Sequence, residues 1–156
     1  KATSIRRLDG AETLLRLTEV KPREAEVGCD EFSANRHGGV VAPVHAVGRH
    51  FCNEFIFAHA DSRVVFSLPE GAFEFSAIGY CVDSQEVKFL VRVDGKTIYR
   101  SPKAGIVPIT VPLPKGSTRL ELIVDRLTNG FCDHSFWCYP RVGYVADENA
   151  QRDTGT

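Results

Sequence analysis

Apolar and polar residues alternate in short runs through the middle of this chain. Val64, Phe66 and Leu68 share one face of the segment from Arg63 to Leu68, and Phe73, Phe75 and Ala77 share one face of Ala72 to Tyr80. Pro69, Glu70 and Gly71 between them predict a turn. From Val87 to Val93 the alternation is cleanest: Val87, Phe89, Val91 and Val93 fall on one side, and Lys88, Leu90 and Arg92 on the other, as in a sheet with one buried face. Asp94-Gly95 follows at once. Such a link suits a type I′ turn, which needs positive φ at both positions, so the run VRVDGKTIY is expected to fold as a hairpin. Leu120, Leu122 and Val124 predict another strand, and Ser135 to Val145 a last one. Pro108, Pro112 and Pro114 confine Gly105 to Pro114 to an edge or a loop, because proline donates no ladder hydrogen bond. Glu12 to Val20 fits a strand or a helix equally well.

Turns recur about every 8 to 12 residues, and no helical apolar period lasts beyond about two turns. The pattern therefore predicts a single all-β domain, a sandwich or a barrel. The folded unit is expected to span residues 13–146, with residues 1–12 and 147–156 as flexible tails that offer nothing to anchor them.

At 156 residues the chain suits one domain able to bury its own core. A formal charge of −1 supplies no long-range field for phosphates or anionic lipid, which argues against nucleic acid as a partner. No apolar stretch approaches the roughly 20 residues that cross a bilayer, so membrane insertion is not expected either. The chain begins at Lys1 and contains no methionine, and it is expected to be cut from a longer precursor with any targeting signal upstream.

Several catalytic and metal readings can be weighed on residue type. Gly95-Lys96-Thr97 ends like a phosphate-binding loop, but position 90 is leucine where a glycine is needed, and the flanking segments read as strands. His59, Asp61 and Ser62 have the types of a hydrolytic triad, yet neighbours on one strand alternate in direction and cannot form the relay. Five cysteines, Cys29, Cys52, Cys81, Cys132 and Cys138, leave at least one without an intrachain disulfide partner. Cys132, His134 and Cys138, with Cys29 or Cys52, could supply zinc ligands, but their spacing follows no zinc pattern. A Cys132–Cys138 disulfide or plain buried thiols is the preferred reading.

A family resemblance runs from Leu17 to about Val142. It is carried by Leu17-Thr18-Glu19-Val20 with Gly28, by Phe57-Ala58-His59-Ala60-Asp61-Ser62, and by Phe73-Glu74-Phe75-Ser76-Ala77-Ile78-Gly79. Val93-Asp94-Gly95-Lys96 with Ser101, Leu120-Glu121-Leu122-Ile123-Val124, and Asp133-His134-Ser135 with Trp137 complete it. In this order the segments resemble the NPCBM family, the novel putative carbohydrate-binding modules, to which the family 51 carbohydrate-binding modules are related. The resemblance implies an all-β fold, a single-domain antiparallel β-sandwich, jelly-roll-like, that binds glycans without catalysis. It also implies an extracellular, periplasmic or cell-surface setting beside glycoside hydrolase domains, and galactose-type terminal sugars as partners. The cysteine content and the stretch from Asn35 to Gly48 depart from the family pattern.

A pyranose has an apolar C–H face and a rim of hydroxyls, so a site for it needs a flat aromatic platform and several planar polar side chains. Affinity stays modest because each hydroxyl that bonds to protein was already bonded to water. The candidate ligand-binding residues are His59, Arg92, Asn129, Asp133, His134 and Trp137, with Trp137 either against the ring or supporting that wall from beneath. Each has a plainer alternative. A lone Trp in a sandwich is often core, the histidines can bond backbone, Asp133 can orient His134, and Arg92 can be a solvated charge. No cofactor is required; Asp83, Glu86 and Asp125 could hold a structural calcium, although no known calcium spacing occurs. The leading function is glycan binding, against a protein-interaction or structural sandwich with no sugar site and, less favoured, a hydrolase.

Overall fold

The computed structural model describes residues 12–27, 33–34, 36–37, 40–41, 52, 54–81, 87–102, 106–127 and 135–145. The expected tails, apart from Glu12, lie outside these residues, as does most of Asn35 to Gly48. The strands are β1 (Glu12–Arg16), β2 (Glu24–Glu26), β3 (Ser33–Ala34), β4 (Arg36–His37), β5 (Val40–Val41), β6 (Phe55–Phe57) and β7 (Ser62–Ser67). They continue as β8 (Ala72–Cys81), β9 (Val87–Val93), β10 (Lys96–Arg100), β11 (Ile106–Pro112), β12 (Arg119–Arg126) and β13 (Ser135–Val145). One sheet runs β11-β8-β13-β6-β3, with β1 on the later half of β13; the second runs β10-β9-β12-β7-β2. All their pairings are antiparallel, and β4 and β5 form a separate pair. The expected β-sandwich is the observed fold.

The hairpin falls where the Asp-Gly link predicts it, with φ of 48° at Asp94 and 84° at Gly95. The Asp94 carboxylate adds a tie, accepting from the amides of Thr118 and Arg119 and from the Thr118 hydroxyl at 2.7 Å. The proline-rich β11 is an edge strand that pairs only with β8. The ambiguous Glu12 to Val20 resolves into β1 and a 3-10 turn at Leu17–Glu19, which buries Leu17.

Between the sheets lie Val87, Phe89, Val91, Leu120, Leu122, Val124, Val64, Phe66, Phe75 and Trp137. Phe73 departs from the expected inward set. The pairing of β13 with β8 slips between Gly143 and Tyr144, and Phe73 is half-buried with its ring against Gly143. A smaller apolar cluster of Cys52, Phe55, Phe57, Phe136 and Cys138 forms on the other side of β6 and β13. Alternation explains it: Ile56 and Trp137 point into the main core, so their neighbours point out.

Candidate functional site

At one end of the sandwich the 58–61 connection meets the end of β12 and the start of β13. The Ala58 amide bonds the Ser135 carbonyl at 2.8 Å, which ties the 58–61 connection to the start of β13. Asp61 accepts from the Arg126 amide at 2.9 Å and lies 3.4 Å from Arg126 Nε, which ties the same connection to the end of β12. The end of β12 and the start of β13 therefore both lie beside residues 58–61. This is the end from which a sandwich commonly presents its binding loops.

His59 is here, 7% exposed, with its ring edge-on to Phe57. Its Nδ1 lies 2.7 Å from the Ala60 carbonyl. Since a carbonyl only accepts, Nδ1 carries the hydrogen, and in the neutral ring Nε2 is the acceptor nitrogen. Asp61 and Arg126 are about half-exposed and bring an acidic and a basic side chain to the same end. Neither was singled out for sugar binding in the sequence, because the pairing depends on a contact across 65 positions. Beside them a cleft of about 290 Å³ is lined by Glu26, Asp61, Ser62, Arg63 and Asp125, among others.

Trp137 belongs to the core and cannot be a surface platform. It is 0% exposed, edge-on to Phe89 at 5.1 Å between ring centres and to Phe75 at 6.0 Å. The pleat decides this, because Trp137 faces Gly79 and Ile56 across neighbouring strands and shares their inward side. Gly79 makes the packing possible: a Cβ there would stand 2.7 Å from the Phe89 ring. Trp137 thus keeps only the supporting role, beneath the wall from which β13 starts.

Arg92 points outward as expected, but it is not at this end. Its pairing position is opposite Glu121, five residues along β9 from the Val87–Arg126 pair, or roughly 17 Å at strand rise. There it lies 3.8 Å from the buried Glu121 carboxylate, whose closer partner is Arg63 Nε at 2.6 Å. Arg63 also bonds Glu24 and Glu26, and Arg119 bonds Glu24. Glu24 first and Glu121 second raise the guanidinium pKa of Arg63, while Arg63 lowers that of Glu24. Arg92 is thereby part of an ion-pair network on the outer face of the second sheet. Asn129, Asp133 and His134 lie outside the described residues.

The triad reading fails on partners as well as on strand geometry. His59 bonds Ala60, Asp61 bonds Arg126, and the Ser62 hydroxyl bonds the Ala58 carbonyl at 3.3 Å. Of the two readings weighed for the cysteines, a Cys132–Cys138 bridge or plain buried thiols, Cys138 follows the second: it is unbridged and buried beside Cys52. Cys29, Cys132, Asp83 and Glu86 lie outside the described residues, and Asp125 is exposed. Among the described residues no three His, Cys, Asp or Glu side chains are grouped to hold a metal.

Solved structures share this architecture. The M60 catalytic domain with two CBM51 domains from Clostridium perfringens ZmpB is similar at 20% identity and a TM-score of 0.73, over 86% of this chain and 15% of that one. The CBM51 of Clostridium perfringens GH95, in complex with methyl-galactose, is similar at 20% identity and 0.69, over 83% and 99%. The tandem CBM51 modules of a Streptococcus pneumoniae family 98 glycoside hydrolase are similar at 14% identity and 0.76, over 87% and 48%. This chain therefore spans a small part of the first protein and about half of the third. At such identities the likeness speaks for the β-sandwich. No curated protein matches the sequence. The NPCBM/NEW2 domain model matches residues 16–143, which include the whole second sheet and all of the first but residues 12–15 and 144–145, and on that match the chain belongs to the NPCBM/NEW2 domain family.

Proposed function

We propose that this domain is a non-catalytic carbohydrate-binding module whose sugar site lies at the loop end framed by residues 58–61, Arg126, Leu127 and 128–134. The observation that carries the reading is the pair of ties, Ala58 to Ser135 and Asp61 to Arg126, in a chain of this family. They bring His59, Asp61 and Arg126 to the two residues, Leu127 and Ser135, that bracket the segment 128–134, whose sequence holds Asn129, Asp133 and His134. Together these supply donors and acceptors for a hydroxyl rim. With Trp137 in the core, the face of the sugar would rest on a residue of the loops, and Phe131 is the aromatic of that segment.

A parent protein carrying a glycoside hydrolase, in a secreted or surface setting, fits the company kept by the similar CBM51 modules. Methyl-galactose, bound by the GH95 module, is the first probe to try, and Asp125 with Asp83 and Glu86 would be the candidates for calcium. Against a protein-docking sandwich, the exposed large apolar side chains among the described residues are few: Leu14 and Val145 are diagonal neighbours on the paired strands β1 and β13, and Ile106 and Leu127 lie on β11 and just past β12. A glycan array with and without calcium tests the function. Asp133→Ala is expected to weaken binding about 10- to 100-fold, the loss of a charge-assisted hydrogen bond. Full-strength binding by that folded variant would move the site elsewhere, and an array with no signal would remove the function.

A further inference from the structure

The outer cluster on β6 and β13 contains two cysteines that neither the fold nor the proposed site requires. Cys52 Sγ lies 3.3 Å from the Glu54 carbonyl, the same oxygen that accepts the Tyr139 amide at 2.8 Å. Cys138 immediately precedes Tyr139 and pairs with Phe55 across the sheet. The two thiols therefore converge on one stretch of backbone, inside one buried cluster. Each is 2% exposed and unbridged.

We propose that Cys52 and Cys138 form a disulfide under oxidising conditions, stapling the chain just before β6 to the middle of β13. Although 86 positions apart, the two share one buried cluster beside the Glu54 carbonyl, so the strand pairing of β6 with β13 already brings them to the same place. The staple would join the two strands whose ends frame the proposed loop end, since β6 leads into residues 58–61 and β13 begins at Ser135.

Exchange starts from whichever thiol is ionised, and either sulfur can take the first step. With glutathione disulfide as oxidant and Cys52 first, the Cys52 thiolate forms a bond to one glutathione sulfur and expels the other as a thiolate, which takes up a proton. Cys138 then loses its proton, attacks Cys52 and releases the second glutathione. Two protein thiols are oxidised, and one glutathione disulfide is reduced to two thiols. Because both sulfurs are buried, exchange occurs during folding or local opening.

The test uses the full chain, refolded in a glutathione redox buffer, alkylated after denaturation, and mapped by mass spectrometry without reduction. The expected result is one linked species containing the Cys52 and Cys138 peptides, and an intact mass lower by two hydrogens. The oxidised chain is expected to melt roughly 10 °C above the reduced one, as a long loop closed by a disulfide should in a domain of this size. Cys52→Ser is expected to lose both the linked species and the gain. Alkyl label on both Cys52 and Cys138 of the equilibrated chain would overturn the proposal, as would a link from either to Cys29, Cys81 or Cys132. If Cys52→Ser does not fold, the peptide map of the unaltered chain alone still decides.

Discussion

Replacing Trp137 separates a core side chain from a sugar platform. Its ring is 0% exposed, inside the largest cluster, with Phe75 and Phe89 edge-on to it. Trp137→Ala removes the whole ring from a site whose walls are strands of both sheets and cannot collapse far. The expected loss is about 3 to 5 kcal/mol, which in a domain of this size lowers Tm by about 10 °C or more. Trp137→Phe is expected to cost less than about 1.5 kcal/mol. It keeps an aromatic ring and removes an indole N–H that is buried without an acceptor among the described residues, so part of the packing loss is offset. Urea unfolding of the three proteins gives the free energies. A glycan titration well below each Tm asks whether the folded fraction of the alanine variant still binds. Stability within about 0.5 kcal/mol of the parent, the range of surface changes, together with lost binding, would refute the core placement.

Gly95→Val is expected to cost more than about 1 kcal/mol and Gly95→Asn a few tenths, because φ is 84° while a Cβ would meet nothing within 4 Å, so backbone conformation alone sets the cost; equal melting temperatures for the two would refute this. Gly79→Ala should cost about 1 to 3 kcal/mol by overpacking, since its Cβ would stand 2.7 Å from the Phe89 ring; a neutral melt would show that the ring moves freely. The Asp94 carboxyl sits below its usual 3.8 because the Thr118 hydroxyl, and then the Thr118 and Arg119 amides, bond its charged form. A lowered folded pKa gives stability that is present above 3.8 and lost as pH falls through the folded value. Melts from about pH 5 to pH 2 should therefore fall less steeply for Asp94→Asn than for the parent, with the remaining slope including Glu24, which Arg63 holds low. Parallel acid limbs would refute the assignment.

The parts of the fold that were legible in the residues are those decided by neighbours along the chain. Alternation placed Val87, Phe89, Val91, Leu120, Leu122 and Val124 in the core, Asp94-Gly95 at a hairpin, and the prolines of β11 on an edge. Phe73 escaped the pattern because a slip in pairing, which belongs to two strands at once, took it off the inward face. Glu121 was legible only as the polar position of its strand. Its burial comes from Arg63 and Arg92 on the strands to either side.

The candidate site divides along the same line. Residue type and local order single out His59 and the segment through His134 only as candidates, and raise both roles for Trp137, since a large amphipathic ring suits core and platform alike. Which role applies depends on the parity of β13 relative to β6 and β8, and on Gly79 leaving room for Phe89. Only the assembled sheet sets these. The separation of Arg92 from His59, the meeting of Asp61 with Arg126, and the approach of Cys52 to Cys138 are likewise products of strand order. Alternation is a property of one strand's backbone and can be read from its residues. Contact between residues 65 or 86 positions apart depends on which strands lie side by side, and that is settled by burying all the apolar faces together.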